Sequence, residues 1–332
     1  MNATINLENK HFPVLLNELV SIISPLYGGT FIDCTFGSGG YSEKILEYSK
    51  NKVIAIDRDK DVLVYANNLK NYYEERFLFH HLKFSEINKI RAKNIKGVIF
   101  DLGYSTNQIK DLRKGLSFDA KGKLNMRMGI NAFSCHEVIS KMNEENLNLI
   151  FKFYGDERFS KKIAHKIVIE RKKKVLKTED LAKIIESVKK NYNPRVNKST
   201  KIFQSLRIFV NKEISELING LVNAFNILPL GGIIAVVTFH SLEDKIVKFF
   251  FKNYSEIKSS SRYMPENKKN NLYFNIRKKK PITPSPTEMK KNPSSRSAKL
   301  RYGIKIKNNC DFIELKKKFK YLLDIEQLGS DL

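Results

Sequence analysis

Cysteine, acid and long apolar runs are all scarce in this chain of 332 residues. Cys34, Cys135 and Cys310 stand far apart, show no CxxC spacing and cannot all pair within the chain; a disulfide scaffold is excluded and a reducing compartment fits. No stretch approaches the roughly 18 uninterrupted apolar residues of a membrane span. The opening MNATINLENKHFPVLL has no charged segment followed by a long apolar run, so no signal peptide is expected. Together these absences predict a soluble cytoplasmic protein without a membrane partner. His80 and His81 have no partner ligands at metal spacing, so no catalytic metal is expected. Ser241 lies outside any GxSxG elbow, which leaves a hydrolase triad unsupported. Internal repeats are absent as well.

What is present is base and core. Sixty Lys and Arg face 35 Asp and Glu, a formal charge of +25. Such a field attracts polyanions, nucleic acid first among them. Lys, Asn and Ile are abundant throughout, as an AT-rich genome would also leave them, so composition alone keeps the point open. With 42% hydrophobic residues the chain can bury a full core, in one large domain or two modest ones.

Strand-like runs at Thr30 to Cys34, Val53 to Asp57, Phe77 to His81, Val98 to Asp101 and Ile233 to Phe239 alternate with helical periodicity. That alternation predicts an α/β fold with a parallel sheet. Four strands fall in the first hundred residues and the fifth only after Gly231, so something helical is inserted between them. The insert, about 108 to 192, predicts helices at Glu144 to Tyr154, Glu157 to Lys173 and Thr178 to Tyr192, with Thr178 as the N-cap of the last. From Phe203 to Phe225 apolar residues recur every three or four positions, the pattern of one helix packed on a core. Beyond the fifth strand, Leu272 to Ile276 and Leu300 to Ile306 predict an antiparallel pair around a long loop.

In FIDCTFGSGG a strand ends at Asp33 and turns through Gly37, Gly39 and Gly40 into a helix. Glycine lets the backbone approach a ligand at the carboxyl ends of the strands. Asp57 ends the next strand, twenty positions beyond Gly37, the offset of an acid that binds ribose hydroxyls. A nucleoside cofactor follows. The compressed GxGG, with an acid before it, is unlike the GxGxxG that seats a pyrophosphate. Acids suit the sulfonium and amino groups of S-adenosylmethionine better. Asp101 ends the fourth strand, at the same rim, where it would face the methionine moiety or an acceptor amine. Phe84, after the third strand, is a candidate to stack on adenine.

Ten ordered blocks then resemble a known family nearly end to end: His11 with PVLLNE, DCTFGSGG, AIDRD, DLGYSTNQ, GLSF, NMRM, YGDERF, FQSLRI, TFHSLEDKIVK and NPSSRSAKLR. The chain is similar to the bacterial ribosomal RNA small subunit methyltransferase H, or MraW, family, which N4-methylates a cytidine in the decoding region of 16S rRNA. The resemblance implies a Rossmann-like class I methyltransferase sheet interrupted by an all-helical domain: residues 1–107 and 201–332 as the methyltransferase, 108–200 as a substrate-recognition insert. It implies S-adenosyl-L-methionine contacts at Gly39, Gly40, Tyr41, Asp57, Phe84, Asp101 and Gln108. The expected partner is 16S rRNA in the small ribosomal subunit or its precursor, with a homodimer left open. Two positions depart from the family pattern: Tyr41 stands where His is common, and Asn125 where Asp commonly precedes MRM.

Asp101 is the candidate catalytic residue, holding the amino protons of a cytosine amine and accepting one. Carbon-5 methylation would need a thiolate, and no cysteine stands at a suitable place. Twelve Lys or Arg against two acids between Arg262 and Arg301 form a late basic segment suited to phosphates, with aromatics nearby for stacking. Lysines and arginines at 171–174 and 189–201 suggest a second patch. RNA contacts are expected at Arg127, His240, Arg296 and Lys299. Two other readings are a noncatalytic RNA-binding assembly factor, which would be expected to have a broken glycine loop, and a DNA amino-methyltransferase. The latter would show Pro-Pro-aromatic after the fourth strand, where this chain has DLGY.

Overall fold

The computed structural model describes residues 13–103, 114–117, 122–190, 197–255, 272–330 and 332. All five expected strands form. β1 (Gly29–Asp33), β2 (Asn51–Asp57), β3 (Phe77–His81), β4 (Ile95–Asp101) and β5 (Ile233–Thr238) run parallel, and β6 (Phe274–Asn275) and β7 (Lys299–Lys305) add antiparallel strands at one edge. The order is β3-β2-β1-β4-β5-β7-β6. It reverses direction between β1 and β4, and an open α/β sheet binds its ligand at the carboxyl ends beside such a reversal. β1, β2, β4 and β5 are buried along nearly their whole length, as both faces of a parallel sheet require.

Two compact units divide the chain. One comprises Met1–Gly103 with Leu217–Leu315, the other Tyr104–Glu216 with Lys316–Leu332. The first holds the sheet, with α1 (Leu16–Ile23), α2 (Gly40–Leu46), α3 (Leu63–Tyr73), α10 (Ser241–Asn253) and α11 (Pro286–Lys291). The described residues of the second are helical: α4 (Cys135–Lys141), α5 (Glu144–Gly155), α6 (Ser160–Glu170), α7 (Thr178–Val188), α8 (Thr200–Val210) and α13 (Lys320–Gln327). α9 (Glu213–Ile227) and α12 (Ile313–Lys318) each run across a division. None of the described helices is long and apolar enough to cross a membrane.

Two local expectations are corrected. The periodic run from Phe203 to Phe225 is two helices, α8 and α9, because Lys212 takes a left-handed φ of 50° between them. Asn211 holds that break: its amide donates to the Met126 and Arg207 carbonyls, and its oxygen accepts from Met128 N–H. Thr178 is the first residue of α7 and not its cap; Lys177 occupies the cap, and the Thr178 hydroxyl instead donates to the Gly122 carbonyl at 3.0 Å.

Candidate cofactor site and basic surface

Three acids end three parallel strands. Asp33 ends β1 and is fully buried, its carboxylate accepting from the Ser42 hydroxyl at 2.7 Å and from Thr35 N–H. Asp57 ends β2 and accepts from Gly37 N–H at 2.9 Å and Asp59 N–H at 2.8 Å, one bond to each oxygen. Each oxygen keeps a second lone pair, so the carboxylate that fixes the glycine turn can also accept from a diol. Asp101 ends β4, with its backbone N–H bonded to the Thr35 hydroxyl at 2.7 Å and its Oδ1 accepting from Gly103 N–H at 3.0 Å. Asp33 and Asp101 flank the reversal of strand order.

Gly37 and Gly39 have φ of 55° and 83°, which the turn requires and side chains resist. Gly40 is needed for packing: a Cβ there would lie 2.2 Å from the Pro13 ring. Burial raises the carboxyl of Asp33 to about 6 and that of Asp101 to about 7, with the Asp33 and Glu243 charges adding to the rise at Asp101. Asp57 is raised from the ordinary range for the same reason, against the lowering effect of its two backbone donors. Such a set of acids attracts a cationic ligand and repels a pyrophosphate, so the residues fit S-adenosylmethionine and not a dinucleotide.

A strap at 13–15 crosses this rim. The buried Tyr41 hydroxyl donates to the Val14 carbonyl and stands beside Asp101. From the C-terminal segment, Glu288 of α11 accepts from Leu15 N–H at 2.7 Å, and Ala298 and Leu300 join the same core as Val14, Leu15 and Tyr41. The late basic segment therefore reaches the cofactor rim within the sheet unit. Thr35, Ser42 and Glu288 are site residues that the sequence reading missed. Ser42 has the signal of a hydroxyl nine residues after an acid in the glycine turn; Glu288, 273 positions from Leu15, has none.

Phe84 lies after β3, edge-on to Phe100 with ring centroids 5.5 Å apart, and fills the space left by the missing side chain of Gly220. Gln108 falls outside the described residues. His240 caps α10: Glu243 N–H donates to its Nδ1, while Glu243 accepts from the Phe239 and His240 N–H groups. Arg127 is exposed and its Nε donates to Asn125 Oδ1 at 2.8 Å, so Asn125 serves as an acceptor without a charge. Arg296 is exposed, in a turn before β7. Lys299 pairs with Asp244 at 3.0 Å, and Arg301 holds the same carboxylate at 2.7 Å. In the second patch Lys189 is buried against Glu157, and Arg171 donates to the Ile139 and Met142 carbonyls at the end of α4. Cys34 is buried beside the turn, and burial pushes its thiol well above the usual range.

An α/β sheet with acids ending three adjacent parallel strands, one of them holding a glycine turn, defines a Rossmann-like methyltransferase. The chain belongs to the MraW methylase family, whose profile matches residues 8–306. Among its relatives, ribosomal RNA small subunit methyltransferase H of Ehrlichia canis (strain Jake) is 41% identical over 303 residues, spanning 89% of this chain and 100% of the relative. The protein of that name from Bartonella tribocorum is 39% identical over 300 residues, spanning 89% of this chain and 90% of its own. A solved rRNA methylase from Streptococcus thermophilus aligns with a TM-score of 0.40 at 10% identity, over 87% of this chain and 96% of that one. As a methylase of this family, the chain takes its methyl group from S-adenosylmethionine.

Proposed function

We propose that the protein methylates N4 of a cytidine in the decoding region of 16S rRNA, acting in the cytoplasm on the small ribosomal subunit or its precursor. The observation that carries the reading is Asp101: a carboxyl raised to about 7, placed at the reversal point beside the acids expected to hold the donor. Residues 108–200 are read as the substrate-recognition insert between the methyltransferase segments 1–107 and 201–332. The donor contacts assigned are Gly39, Gly40, Tyr41, Asp57, Phe84, Asp101 and Gln108, with Asp57 on the ribose hydroxyls.

A cytosine amine is a weak nucleophile because its lone pair is delocalised into the ring. Bound S-adenosylmethionine supplies an activated methyl carbon on a sulfonium. Asp101, when ionised, would accept the N–H bonds of the amine, which returns electron density to N4 and aligns it. On methyl transfer the surplus N4 proton would pass to the Asp101 carboxylate. Alignment of this kind is worth about 7 to 11 kcal/mol in favourable cases. The buried, protonated Cys34 argues against the thiolate adduct of carbon-5 methylation. The target base must be unstacked to reach the rim, and Arg127, His240, Arg296 and Lys299 remain the candidate RNA contacts. In the test, mass mapping of 16S rRNA from cells with and without the gene shows N4-methylcytidine lost in the deletion; unchanged N4-methylcytidine overturns the proposal.

A further inference from the structure

A cleft of about 270 Å³ opens on the sheet unit between α10 and the β6–β7 edge. Lys248 and Lys252 of α10, Lys278 and Lys279 after β6, and Arg301 of β7 line it, over an apolar floor that includes Phe251, and among the described residues no carboxylate takes part in the lining. Lys248 and Lys252 are four apart on one helix face, a repulsive spacing for an isolated helix. The opposite wall is fixed: Arg301 is held by Asp244 on its Nε and donates from Nη1 to the Lys279 carbonyl at 3.3 Å. Asp244 is shared with Lys299, so one acid faces two bases. β7 stands two strand positions from β4, which carries Asp101, about 10 Å at ordinary strand spacing. Neither the glycine turn nor Asp33, Asp57 or Asp101 lines the cleft.

We infer that this cleft binds a single-stranded stretch of the substrate RNA through its phosphates, away from the target nucleotide. The inference rests on the RNA methylation proposed above. Two cationic walls over an apolar floor form a groove that tracks a backbone. A lipid surface would call for an apolar face that protrudes, whereas Phe251 is only 3% exposed at the cleft floor. The cleft gives the exposed RKKK run at 277–280 a built partner in α10.

The test compares full-length protein with Lys248→Gln/Lys278→Gln. A control, Lys52→Gln/Lys96→Gln, removes the same charge from exposed positions on β2 and β4. Titration with a fluorescein-labelled single-stranded oligoribonucleotide across a salt series gives affinities and salt slopes. The cleft variant is expected to bind roughly tenfold more weakly at low salt, with a slope shallower by about 1.4. The control keeps wild-type RNA affinity, and all three proteins keep the same affinity for S-adenosylhomocysteine. Wild-type RNA binding by the cleft variant, or an equal loss in the control, overturns the cleft while leaving RNA methylation standing. A loss confined to phosphatidylglycerol vesicles, with RNA binding intact, also overturns it. Failure of the wild type to bind RNA at all overturns the parent reading and the cleft with it.

Discussion

In the proposed reaction the residue whose ionisation matters is Asp101, and burial has lifted its carboxyl to about 7. The rate of transfer at subsaturating donor should therefore rise as pH increases through neutrality. Asp101→Asn should lower kcat by roughly a hundredfold or more and erase that rising limb in a pH–rate profile. Stability moves the other way. Asp33 and Asp101 both titrate higher in the folded state than in the unfolded chain, so between about pH 4 and 7 the folded state holds protons that the unfolded one has released. The urea midpoint of ligand-free protein should fall across that window, less so in Asp101→Asn; an unchanged slope in the variant would remove Asp101 from the account. Asp57 was read from its offset alone, and the structure gives its carboxylate a second task in holding Gly37. Asp57→Ala should weaken S-adenosylhomocysteine binding roughly tenfold to a hundredfold while RNA titrations stay unchanged. Equal losses in both would mean that the ribose assignment is wrong.

Helix α9 shows how a short segment depends on distant chain. At its start, Glu326 of α13 accepts from Ile214 N–H at 2.9 Å and from Ser215 N–H. At its end, buried Lys305 of β7 donates to the Phe225 and Leu228 carbonyls at 2.8 and 2.7 Å. Helix ends leave such groups without partners unless something else supplies them. Glu326→Ala should cost about 1–3 kcal/mol by stranding the two donors, read as a lower denaturation midpoint, and Glu326→Gln should recover part of it. Periodicity located both α8 and α9 but ran them together, because Asn211 and Lys212 carry neither a glycine nor a proline to mark the break. Its cause is the Asn211 side chain, bonded to a loop more than eighty positions away.

On the scale of the whole chain, a charge of +25 is less available than the count suggests. Lys189, Arg207, Lys305 and Arg301 are buried or paired within the fold. Residues 277–280 and Arg296 are exposed at the surface. Phosphate contacts release counterions, so KM for the rRNA substrate should rise steeply with salt while kcat stays nearly flat. A KM independent of salt, measured on small subunits, would remove the basic segment from substrate binding.

Read alone, the sequence determined the five parallel strands, the glycine turn, Asp33, Asp57 and Asp101 at strand ends and the antiparallel pair after β5. These are local patterns, set by side-chain alternation and turn chemistry within a few residues. Tertiary structure alone decided the strand order, and with it the reversal that Asp33 and Asp101 flank. It also decided how the cations are shared: Lys299 and Arg301 of the late basic segment are both held by Asp244, more than fifty positions away. Long-range pairing leaves no local periodicity to read, so the glycine turn and its acids were visible in the chain while the basic cleft of α10 was not.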